Sequence, residues 1–119
     1  MGVRMKDTRV IELLAQIFAK TQSGKLAWEP TAQEGIFVVP LKGKYTLKAF
    51  PSTDYLSTPE GSGPPSFTLY EGNEMLLDAT YKIEGVPEQG LRELYEMVRR
   101  RALRVDKKLD DILSDLKNL

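Results

Sequence analysis

Residues 91–116 read LRELYEMVRRRALRVDKKLDDILSDL, and the apolar positions in this run decide the fold. Leu91, Tyr95, Val98, Ala102, Val105, Leu109, Ile112 and Leu116 follow one another in alternating steps of four and three. At 3.6 residues per turn that rhythm lays one continuous stripe along one side of an α-helix. Leu94, Leu103 and Leu113 widen the stripe, and the remaining positions are mostly charged. The rest of the chain is then read as what covers it.

Pro87 suits the first helical position, because its missing N–H would have no helical partner there. A straight helix over 87–116 would span about 45 Å. A compact chain of this length has a radius of gyration of about 13.5 Å and is roughly 35 Å across. The rod therefore overhangs its own domain. Either it breaks at 104–106, where Asp106 could cap a second segment, or its end packs on a partner. The break is the favoured expectation.

Upstream, Val10, Leu13, Leu14, Ile17 and Phe18 predict an amphipathic helix over 8–21, capped by Asp7 or Thr8 and stopped at Ser23-Gly24. Strands are expected at about 25–29, 35–41, 44–50, 66–71 and 75–84. A two-residue turn at Lys42-Gly43 would pair Val38 with Leu47 and Ile36 with Ala49. That register puts Ile36, Val38, Tyr45, Leu47 and Ala49 on one face, and Phe37, Val39 and Leu41 on the other. At the next hairpin a three-residue connection, Gly72-Asn73-Glu74, pairs Phe67 with Ala79 and Leu69 with Leu77. It is preferred because it gathers the apolar residues on one face. Residues 51–65 carry four prolines and two glycines and read as loop, with Tyr55 and Leu56 to pin it. The fold class is α+β: an antiparallel β-meander of four or five strands, covered on one face by an N-terminal helix and a long or broken C-terminal helix. Residues 1–119 make one domain.

The composition narrows the chemistry. Seventeen basic side chains balance seventeen acidic ones, so no whole-molecule field draws the chain to nucleic acid or anionic lipid. Cys and His are both absent. Disulfides, thiolate chemistry and triads of the Ser–His–Asp or Cys–His type are thereby excluded, together with the commonest transition-metal ligand. The first residues show no apolar signal core, Lys6 stands where a myristoylation motif wants Ser or Thr, and no apolar run approaches 18 residues. A cytoplasmic protein that makes no membrane contact is expected.

Thr21-Gln22-Ser23-Gly24-Lys25-Leu26-Ala27-Trp28-Glu29-Pro30-Thr31 after an amphipathic helix, with Leu94-Tyr95-Glu96 and the run from Arg100 to Asp110, resembles a scattered group of small bacterial proteins of unknown function. The resemblance spans most of the chain apart from 51–65. It implies a stand-alone bacterial domain and brings no substrate, cofactor or site.

Chemical motifs give way to simpler readings. Ser114 and Lys117 have Ser-x-x-Lys spacing, but on the last turn of a helix with no pocket around them. Asp110 and Asp111 point about 100° apart around a helix and do not converge. Gly61-Ser62-Gly63 runs into prolines rather than a phosphate-binding helix. No catalytic, cofactor-binding or metal-binding residue is expected, and the chain reads as a non-enzyme. Interaction candidates are Trp28, as a core residue first and an exposed anchor second, and Arg101, Arg104 and Lys108, one column within the basic run from Arg99 to Lys108. The leading expectation is a protein-interaction module that binds a protein partner or itself through the overhanging helix or a sheet edge. The alternatives are a nucleic-acid accessory protein using 99–108 and, after it, a small-molecule binder.

Overall fold

A computed structural model describes residues 8–51 and 64–119. In chain order it contains α1 (Thr8–Gln22), β1 (Glu29–Pro30), β2 (Phe37–Pro40), β3 (Tyr45–Phe50), β4 (Ser66–Glu71), β5 (Glu74–Ala79), α2 (Glu88–Ala102) and α3 (Val105–Lys117). The strands form one antiparallel sheet in the order β1-β2-β3-β4-β5. The fold is the expected α+β meander. Asp7, Tyr55 and Leu56, to which the sequence assigns a cap and a loop anchor, lie outside the described residues.

The end of α1 is set by Gly24, which adopts φ +77°. Its N–H donates to the Thr21 carbonyl at 3.1 Å, and the Lys25 N–H donates to the Lys20 carbonyl at 2.8 Å. These two bonds are the paired closure of a Schellman cap, which only a residue at ease in the left-handed region permits. The chain then doubles back, and Trp28 turns inward. Its indole Nε1 donates to the Thr21 hydroxyl at 2.9 Å, and its ring meets Phe67 edge-on with centroids 6.4 Å apart. This return displaces the expected first strand. Leu26 and Trp28 lie in irregular chain, and pairing begins only at Glu29 and Pro30.

The β2–β3 register differs by one residue from the two-residue-turn expectation. Phe37 pairs with Ala49 and Val39 with Leu47. The Leu41 N–H bonds to the Tyr45 carbonyl at 2.9 Å, so the turn is Lys42-Gly43-Lys44, with Gly43 at φ +76°. A one-residue slip exchanges the faces. Phe37 and Val39 therefore join Leu47 and Ala49 inside, while Val38 turns outward with Lys48.

At β4–β5 the expected pairs form: Phe67 with Ala79 and Leu69 with Leu77. The route to them is different. The turn is the two-residue Gly72-Asn73, between paired Glu71 and Glu74, and a bulge that leaves Leu76 unpaired restores the apolar register. β5 stops at Ala79 rather than continuing to 84, because the Thr80 carbonyl and hydroxyl accept from Ile83 N–H and Lys82 N–H and turn the chain.

Helices α1 and α2 cover the inner face. Val10 and Ile17 of α1 and Leu91, Leu94, Val98 and Ala102 of α2 are buried with Phe37, Val39, Leu47, Ala49, Phe67 and Ala79. Pro87 stands just outside α2 in extended geometry (φ −79°, ψ 137°), one residue before its expected place. Tyr95 reaches from α2 to the loop before β2. Its hydroxyl donates to the Gly35 carbonyl at 2.5 Å, and its ring leans on Phe37 at 5.9 Å.

Thr21→Val keeps the shape but strands a buried indole N–H, and should cost about 1–3 kcal/mol in denaturant unfolding, whereas Thr21→Ser should cost clearly less. Burial raises the Tyr95 phenol above the ordinary value of 10.0, with Arg99 opposing and Glu96 adding to the rise. The unfolded phenol thus ionises before the folded one. Its contribution is complete below about pH 10 and is lost as pH rises through the folded value. Urea midpoints measured from about pH 9 to about pH 11 should fall more steeply for the parent than for Tyr95→Phe.

Candidate interaction surface

The long stripe breaks where the sheet stops covering it. Ala102 is the last buried residue of α2, and Leu103 is half-buried against the core. Arg104 then takes φ 54°, ψ 44°, the left-handed region in a non-glycine residue, and α3 begins at Val105. Asp106 does not cap the new helix. Its carboxylate instead accepts from the Arg100 guanidinium at 2.5 Å across the break, which holds the Arg100 pKa above its usual range. The Lys108 N–H donates to the Arg104 carbonyl at 3.0 Å and starts the ladder of α3.

No residue of α3 is buried, although the helix is amphipathic. Leu109 is 45% exposed, Ile112 and Leu113 are each 52% exposed, and Leu116 is 58% exposed. They recur at i, i+3, i+4 and i+7, the spacing with which an amphipathic helix anchors in a partner. The Cα radius of gyration is 16.0 Å, above the ~13.5 Å of a compact chain of this length. An excess of that sign fits a helix that stands off the body. Break and overhang occur together.

The other candidates fall elsewhere. Trp28 is buried beside Thr21 and Phe67 and offers nothing to a partner. Arg101 donates to the Gln22 carbonyl at 2.6 Å and ties α2 to the end of α1. Arg104 is the hinge, and Lys108 lies beyond it on α3, so the expected column of Arg101, Arg104 and Lys108 is cut in two by the break. Arg99 pairs with Glu96 at 3.4 Å and Arg100 with Asp106. Half of the basic run is thus engaged within the chain.

Two concavities bear on the small-molecule alternative. An apolar groove of about 200 Å³ lies between α1 and the start of α2, walled by Ile11, Leu14, Phe18, Val86 and Leu91. It has no charged side chain to orient a ligand. A hollow of about 350 Å³ on the outer sheet face holds Ser66, Thr68, Tyr70, Asp78 and Lys82. There the Thr68 hydroxyl donates to Asp78 at 3.1 Å, and the Lys48 ammonium sits 4.7 Å over the Tyr70 ring. Thr68 and Asp78 are thus engaged with each other across the hollow. Among the described residues, no cluster of three His, Cys, Asp or Glu is placed to hold a metal ion, and no helix is long and apolar enough to cross a membrane.

No family model, curated protein or solved structure matches the chain. The sequence pattern did mark the α3 stripe; it missed Thr21 as the buried partner of Trp28, a pairing that depends on the return of the chain after Gly24.

The hinge yields a prediction. A non-glycine residue in the left-handed region costs about 1–2 kcal/mol. Arg104→Gly should therefore raise unfolding stability by about 0.5 kcal/mol after the added freedom of the unfolded chain. Arg104→Val, β-branched, should lower it by about 1 kcal/mol or more. Chemical denaturation of the three proteins checks the order.

Proposed function

We propose that this chain is a non-enzymatic protein-interaction module of the cytoplasm whose docking element is α3. One observation carries the reading: a helix with a sustained apolar face contributes no buried residue to its own domain. Leaving four large aliphatic side chains half in water forfeits much of the ~1.5–3 kcal/mol that burying each would provide. A contiguous patch of this kind marks a contact surface. The missing histidine and cysteine add weight on the non-enzymatic side.

The test separates docking from folding. At low micromolar protein, Ile112→Ala and Leu116→Ala should each change unfolding free energy by no more than about 0.5 kcal/mol. Leu94→Ala, in the covered part of the same stripe, should cost about 2–5 kcal/mol. If the α3 substitutions cost as much as the core one, the face packs on its own domain and is not a docking element.

A further inference from the structure

We infer that the partner of α3 is α3 of a second copy, lying antiparallel across a two-fold axis. The inference rests on the reading of α3 as a docking element, and the pattern of the helix itself selects the occupant. The central stripe is Val105, Leu109, Ile112 and Leu116. In an antiparallel pair, Val105 meets Leu116 of the second copy, Leu109 meets its Ile112, and the two reciprocal layers repeat these contacts. Every layer is apolar, so the stripe is complementary to its own reverse, as a two-fold interface requires.

The flanking charges choose between directions. Lys108 and Asp115 are seven residues apart and occupy equivalent positions beside the stripe, each just before a leucine of it. Antiparallel packing brings equivalent flanks of this kind together, so Lys108 faces Asp115 of the second copy, and Asp115 faces its Lys108. Parallel packing sets Lys108 against Leu113 instead and forms neither pair. Opposed helix dipoles also favour the antiparallel arrangement. So does bulk: packed helix axes lie about 8–10 Å apart, whereas a compact body of about this length is roughly 35 Å across. A parallel pair would crowd both bodies at one end, while the antiparallel pair sets them at opposite ends of a helix roughly 20 Å long.

Charge exchange in the full chain tests the arrangement. An interface this short associates weakly, so sedimentation equilibrium is run at low salt from roughly 10 μM to roughly 500 μM, with helix content checked by circular dichroism. The parent should dimerise. Lys108→Asp and Asp115→Lys each create two like-charge pairs and should weaken dimerisation about three- to tenfold. The double variant Lys108→Asp/Asp115→Lys restores opposite charges across the axis and should return to within about twofold of the parent. A double variant no tighter than the singles would overturn the antiparallel pair, including in favour of α3 seating in the α1–α2 groove. A parent that stays monomeric throughout would overturn self-pairing, while the indifference of the unfolding free energy to Ile112→Ala and Leu116→Ala would still support docking on another protein.

Discussion

Apolar surface has to be covered, and the inner sheet face covers the C-terminal stripe only as far as Ala102. The stripe on α2 is held by Phe37, Val39, Leu47 and Ala49 below and by α1 alongside. Burial of Leu91, Leu94 and Val98 stabilises the helix far more than its own propensity, since isolated helices of about 15 residues are marginal in water. Past Ala102 that support ends while the pattern in the sequence continues. The break, the exposed α3 and the reading of α3 as a docking element all descend from this mismatch of lengths.

The same interior contains two polar tethers that fix how the helices sit. Thr21 is fully buried on α1 and accepts from Trp28, so the end of α1 and the return segment are locked together. Tyr95 joins α2 to the loop before β2 through the Gly35 carbonyl. Each tether satisfies a group whose burial would otherwise cost more than its hydrogen bond contributes. Apolar packing tolerates sliding; directional bonds do not. Together with Arg101 on the Gln22 carbonyl, they set α1 and α2 at one position on the sheet.

How far the sequence could be read followed from how lopsided each segment was. Both ends of the chain have sharp helical periods, and α1 and the two halves of the C-terminal stripe stand where the period puts them. β4 and β5 alternate cleanly, so matching their apolar residues selected the right pairs even though the real turn is shorter and a bulge makes up the difference. β2 is different. Ile36, Phe37, Val38 and Val39 are apolar on both faces, so either register looks acceptable and the turn decides. Gly43 supports a turn of two residues or of three, and only the Leu41–Tyr45 bond tells them apart. Trp28 was ambiguous for a related reason: its inward position depends on a partner seven residues earlier on another element. The exposed face of α3 was legible as a stripe, but a stripe does not say whether anything covers it.

The bend at Arg104 shows which force sets that outcome. A left-handed arginine costs about 1–2 kcal/mol, and the ion pair across the break, exposed on both sides, is screened by water. It is a weak brace. Leu103, the last residue before the bend, packs half-buried against the core. Half-burial of a leucine is worth about 1 kcal/mol. Leu103 itself keeps right-handed helical geometry (φ −88°, ψ −2°), so the bend leaves it against the core and redirects only the chain that follows, and α3 leaves in a new direction with none of its residues buried. The feature that ends the core is thus also what leaves the apolar face of α3 in water.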